Sequence, residues 1–224
     1  MNSETHFLAA AFTLLSKDLR TELRTRFGLN TVLAFVGSSL LVVVYTIDTD
    51  MAGNGALLWI VILFAALSSL SRAFVSEEEQ LTMPMLRMLA GPTAIYTGKL
   101  LFNLLFTLFV NAATLFVYVF LLGLDVNRPG LLAFVMLTGT LGLSSVATLL
   151  GAIVSQASRK GALFAVISLP LLLPLMLIIT RVTNQAFAVG DYPDMTNDLV
   201  ALGAYAGVVL SASGLLVDAI WEGN

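Results

Sequence analysis

The chain is 224 residues long, 58% hydrophobic and only 11% charged, with a mean hydropathy of +0.94. That composition excludes an ordinary soluble domain, in which about a quarter of the residues are charged. A net charge of −3 with no basic stripe carrying interleaved aromatics points away from nucleic acid, and a cysteine count of 0 excludes disulfides and thiolate metal sites.

The first element is predicted over residues 7–27 as an amphipathic helix. Leu8, Ala11 or Phe12, Leu15, Leu19, Leu23 and Phe27 recur every three to four residues, with Thr13, Lys17, Arg20 and Arg24 between them. A helix with a basic face and a Leu/Phe face is expected to lie in the membrane interface, with Lys17, Arg20 and Arg24 turned to lipid phosphates. Lys17, Asp18, Arg20 and Glu22 break its apolar stretch, so no removable signal peptide is expected. His6, the only histidine, reads as a solvated tail residue rather than a haem or metal ligand.

Apolar runs then follow at Val32–Tyr45, Leu57–Val75, Leu100–Leu122, Leu131–Val154, Ala162–Ile179 and Leu199–Ile220. A helix crossing the ~30 Å hydrocarbon layer needs roughly 20 mostly apolar residues. With their interfacial flanks, the runs predict six spans at 29–48, 56–76, 99–122, 131–155, 161–181 and 199–221. The expected architecture is an all-α membrane protein, with residues 1–224 forming one transmembrane domain.

Basic residues are retained on the cytoplasmic side of a membrane. Lys17, Arg20, Arg24 and Arg26 precede the first span; Arg72, Arg87 and Lys99 lie between the second and third; Arg159 and Lys160 lie between the fourth and fifth. Only Arg128 and Arg181 fall on the alternate side, so both termini are assigned to the cytoplasm.

Residues 77–98 form the longest cytoplasmic connection. Ser76 with Glu79 fits a capping box, and Glu77, Glu78 and Glu79 suit a helix N-terminus. Thr82, ahead of Met83-Pro84, is placed to cap a second short helix. Met83, Met85, Leu86, Met88 and Leu89 load that helix with flexible apolar side chains, a surface suited to a partner. Gly91-Pro92 breaks it, and Thr93 is placed to cap the helix entering the third span.

In the third span Asn103, Thr107, Asn111, Thr114 and Tyr118 make one polar stripe; Thr140, Ser144, Thr148 and Ser155 do likewise in the fourth, with Gly139, Gly142 and Gly151 nearby. Close packing of helices is the default reading of such residues, and a substrate-facing lining the sharper one. Pro170 and Pro174 in the fifth span remove two backbone donors one turn apart, which predicts a kinked or locally opened helix. The last external loop is predicted over Val182–Asp198, with turn chemistry at Gly190-Asp191-Tyr192-Pro193-Asp194. No charge is placed in mid-bilayer and no nucleotide-binding or hydrolytic motif occurs, so the motive force is expected to come from another chain.

The amphipathic start with Lys17-Asp18-Leu19-Arg20 and Glu22, followed by six spans, resembles the permease half of a type-2 ABC exporter. More narrowly, it resembles the haem exporter B family of cytochrome c maturation (CcmB). In that family the second span leads into S-E-x-E-x-x-T, then a turn proline, then I-x-x-G-K opening the third span. Ser76, Glu77, Glu79, Thr82, Pro92, Ile95, Gly98, Lys99 and Asn103 stand at those positions, while Leu81 and Pro84 depart from the pattern. Gly139-Thr140-Leu141-Gly142 and Leu169-Pro170-Leu171-Leu172-Leu173-Pro174 also match.

The resemblance implies a non-catalytic permease subunit in a bacterial inner membrane, with no cofactor bound directly. It implies a second copy of the chain, a soluble ABC ATPase (CcmA-like) supplying ATP hydrolysis, and a haem-handling membrane protein (CcmC-like) with a small membrane subunit (CcmD-like). A periplasmic haem chaperone (CcmE-like) would receive or release haem. Glu77, Glu78, Glu79, Thr82, Met83, Met85, Leu86, Arg87 and Met88 would meet the ATPase. The alternative expectation is a type-2 ABC permease exporting a lipid, polysaccharide or drug.

Overall fold

A computed structural model describes residues 3–46, 55–70, 91–155, 160–190 and 195–222. The predicted ATPase-contact residues Glu77 to Met88 lie outside the described residues, as do the side chains of His6 and Ser155. Seven helices are described: α1 (Ser3–Thr25), α2 (Phe27–Thr46), α3 (Gly55–Leu70), α4 (Pro92–Leu122), α5 (Pro129–Ser155), α6 (Lys160–Phe187) and α7 (Met195–Glu222). Helices α2, α4, α5, α6 and α7 each contain a stretch long and apolar enough to cross a membrane, and α3 is described as a shorter apolar helix. The chain is a multi-pass membrane protein, with only helices and their connecting turns among the described residues.

Helix ends follow local chemistry. Gly91 is the N-cap of α4, with extended φ −67° and ψ 158°, and Pro92 occupies the first turn. Proline suits that place because its absent N–H would be unpaired there and its fixed φ is already helical. At the other end Gly123 takes φ 63°, and its N–H returns to the Val119 carbonyl. Two sequence expectations shift. Residues 92–98, assigned to the connecting segment, are the first turns of α4, and Thr93 lies inside the helix, where its carbonyl accepts from Thr97 Oγ1 at 2.7 Å. Val182–Phe187 continue α6 instead of joining the external loop, and Met195–Asp198 begin α7.

The joint between α1 and α2 is a sharp one. Arg26 adopts φ 53°, unusual for a residue with a side chain. Glu22, in the last turns of α1, accepts the Leu29 N–H on Oε1 at 2.7 Å and so caps α2. A side chain on Gly28 would stand 2.9 Å from that carboxylate.

Helix α5 is the centre of the bundle, packed on α4, α6 and α7, while α2 and α7 leave most of their surface uncovered. In lipid, helices are held by close contact and by hydrogen bonds rather than by the hydrophobic effect. Gly139 and Gly142 of α5 supply the contact: a Cβ at Gly139 would come within 2.6 Å of the Trp59 ring, and one at Gly142 within 3.0 Å of Leu175. Trp59 and Ile179 fill the space beside Gly139, and Leu175 the space beside Gly142.

Candidate functional site: a polar seam and a fastened interfacial helix

The two predicted polar stripes face one another across α4 and α5. Asn103, Thr107, Asn111, Thr140, Ser144 and Thr148 are all fully buried. Asn103 Nδ2 donates to Thr148 Oγ1 at 2.8 Å, and Asn111 Nδ2 donates to Thr140 Oγ1 at 2.7 Å. The two threonines pass their own protons down α5, to the carbonyls of Ser144 (2.6 Å) and Met136 (2.5 Å). Ser144 Oγ reaches the Asn103 carbonyl at 3.5 Å. The helices run antiparallel, so each four-residue step up α4 meets a four-residue step down α5.

The seam holds acceptors in reserve. Asn103 Oδ1, Thr107 Oγ1 and Asn111 Oδ1 are buried with no hydrogen-bond partner among the described residues. An uncompensated buried acceptor costs about 1–3 kcal/mol. These groups can give or take hydrogen bonds but supply no charge to a coupled ion. Among the described residues no group of three or more potential metal ligands occurs.

Helix α1 carries three stripes rather than two. Leu8, Phe12, Leu19 and Leu23 are exposed, as are Lys17, Arg20 and Arg24. Ala11, Leu14, Leu15 and Asp18 form the covered stripe and rest on the first turns of α4. There Gly98 admits the backbone of α1: a Cβ on it would lie 2.9 Å from the Ala11 carbonyl oxygen and from Leu14 Cβ. Lys99, 1% exposed, pairs with Asp18, 9% exposed, with Nζ to Oδ2 at 2.8 Å. Lys17 Nζ stands 3.7 Å from Asp18 Oδ1.

Helix α6 runs unbroken through Pro170 and Pro174, both on its exposed side. Between them the Leu171 carbonyl accepts the Tyr205 hydroxyl of α7 at 2.5 Å, a side-chain bond beside the place where proline removes the backbone ladder.

The far end of α6 gathers three other elements: α3, the entry to α5 and α7. Asn184 Oδ1 accepts the Gly55 N–H at 2.6 Å, capping α3, and Thr183 Oγ1 accepts the Trp59 indole at 2.8 Å. The Ala186 carbonyl takes the Arg128 N–H at 3.0 Å, and the Phe187 carbonyl takes Asn127 Nδ2 at 2.5 Å. The Arg128 guanidinium donates to the carbonyls of Gln185 and Gly190. Gln185 Nε2 reaches Asp198 in the first turn of α7 at 3.3 Å. The last carbonyls of α6 are therefore satisfied, which is why the helix extends past Arg181.

Sequence reasoning did not find the Asp18–Lys99 pair. Lys99 counts as a solvated basic residue in a topology argument, and Asp18 as part of a charged interruption. One signal was available: Asp18 follows Ala11, Leu14 and Leu15 at helical spacing, on the same stripe, and a carboxylate in such a position needs a cationic partner.

Set beside known proteins, the chain matches the protein-family model described as "CcmB protein" over residues 9–216. It is also 28% identical over 188 residues to "Heme exporter protein B" of Bradyrhizobium diazoefficiens, an alignment covering 82% of this chain and 84% of that protein. The family match takes in α1, the seam of α4 and α5, and the proline-bearing α6. By that match across nearly its whole length, the chain belongs to the CcmB protein family.

Proposed function

We propose that the chain is the membrane component of a haem export system, and more finely the permease subunit of an ATP-driven ABC transporter in cytochrome c biogenesis. Hydrolysis of ATP by a soluble partner ATPase would drive haem delivery to, or release of, a periplasmic haem chaperone. The observation that carries this reading is the family match over residues 9–216. The polar seam is consistent with it, because the groups between α4 and α5 are amides and hydroxyls, with no ionisable side chain among them to relay a proton.

In this reading the chain sits in the bacterial inner membrane with both termini in the cytoplasm, and works as two copies beside an ATPase dimer. Haem is handled by the whole complex, with a haem-handling membrane protein and its small membrane subunit alongside. Residues 77–88, headed by Glu77, Glu78 and Glu79, contact the ATPase through Met83, Met85, Leu86 and Met88.

Affinity purification in mild detergent tests it. An ATPase and haem-containing membrane proteins are expected to accompany the chain, with haem absorbance in the complex. Met85→Glu or Leu86→Glu is expected to lower ATP-dependent haem delivery at least tenfold while the membrane subunits still assemble. Recovery of the chain with an ATPase but with no haem protein would redirect the reading to export of another substrate.

A further inference from the structure

We propose that Asp18 and Lys99 are the positioning residues that carry motion from the cytoplasmic connection into the interfacial helix, by keeping α1 and the first turns of α4 one rigid piece. This rests on the ATPase-coupling reading above. Three observations carry it. Lys99 and Asp18 meet at 2.8 Å with both side chains buried, so the pair exchanges little with water. One residue earlier Gly98 lets Ala11 and Leu14 touch the α4 backbone, and any side chain there would force the helices apart. At the other end of α1, Glu22 caps α2 across the Arg26 joint, so what moves α1 also moves α2.

The geometry fixes the path. A push arriving through the chain ahead of Gly91 reaches Lys99 within two turns of helix. A charge pair with one partner removed leaves the other buried and uncompensated, and the two helices then part or admit water. The pair is therefore expected to stay closed through the cycle as a joint that transmits, and not to open as a gate.

The sequence contains no cysteine, so engineered thiols are unique. Exchanging the two charges gives a substitute that adds no side chain at Gly98, because Asp18→Lys with Lys99→Asp restores an opposite pair between the same two helices. The assembled complex is purified in nanodiscs with Asp18→Asn alone, and with the exchanged pair Asp18→Lys and Lys99→Asp. Haem delivered per ATP hydrolysed is read in each, along with a spin-label distance between thiols placed at Arg24 and Leu101 in the otherwise unaltered chain and in its Asp18→Asn form.

Asp18→Asn is expected to keep its ATPase and its hydrolysis rate within twofold, to lose delivery per ATP at least tenfold, and to broaden the distance distribution. The exchanged pair is expected to recover delivery to within threefold of the unaltered chain. Should Asp18→Asn fail to accumulate, the exchanged pair decides alone: accumulation with delivery supports the joint, accumulation without delivery overturns it. Undiminished delivery in Asp18→Asn also overturns it. If the unaltered chain brings no ATPase with it, the coupling reading fails, and an unbroadened distance in Asp18→Asn would separately refute the joint.

Discussion

Gly139 lacks a side chain because Trp59 of α3 occupies the space, with ring carbon Cη2 2.6 Å from where a Cβ would stand. Gly139→Val must displace the indole and break its bond to Thr183, an overpacking that costs about 1–3 kcal/mol. Fluorescence of a Trp221→Phe background, in which Trp59 is the remaining tryptophan, is expected to change in wavelength together with a lowered thermal midpoint. Across the seam, Asn103 and Thr148 form a pair whose coupling a double-mutant cycle reads directly. Asn103→Ala and Thr148→Val are each expected to destabilise the chain, with a coupling of about 0.6–1.7 kcal/mol from thermal unfolding in detergent. Additive effects would mean that the bond contributes nothing.

Helix α1 shows how far a sequence pattern reaches. A helix stands where the three-to-four-residue recurrence predicts one, and Lys17, Arg20 and Arg24 are all exposed on it. The same recurrence merged Ala11 and Leu15, which pack on α4, with Leu8, Phe12, Leu19 and Leu23, which do not. Periodicity reports that a residue is apolar and where it points around the helix, not which neighbour covers it. The start of α4 was legible to within two residues: Gly91-Pro92 was read as a break with Thr93 as the cap beyond it, whereas Gly91 is the cap and Pro92 the first helical residue. The hydroxyl and amide stripes were legible because their spacing is intrinsic to each helix, while the pairing of Asn103 with Thr148 depends on the register between two helices. Replacing Lys17, Arg20 and Arg24 together by Gln is expected to remove roughly 3 kcal/mol of attraction to anionic lipid, at about 1 kcal/mol per charge. Native mass spectrometry of the intact protein should then show fewer retained phosphatidylglycerol molecules; an unchanged count would show that these charges serve something other than lipid.

At the scale of the molecule, the two ends of the bundle differ in chemistry. One end is tied by backbone caps from Asn127, Arg128 and Asn184, the other by the Asp18–Lys99 pair and the Glu22 cap. In the orientation proposed above, the Arg128 end faces the outside of the membrane. A thiol introduced at exposed Asp125 is expected to react with a membrane-impermeant maleimide on intact spheroplasts, and one at exposed Arg20 only after lysis. The reverse pattern would invert the topology and with it the proposed site of ATPase contact.

The knot of hydrogen bonds around residues 183–187 sets where the bundle can pivot. With α3, α5, α6 and α7 pinned together at that rim, relative displacement must grow with distance from it, as the ribs of a fan spread from the rivet. A helix the length of α4, 31 residues, spans roughly 46 Å at ~1.5 Å per residue. A tilt of about 5° at the rim would then sweep the opposite tip through roughly 4 Å, about three-quarters of the ~5.4 Å pitch of one helical turn.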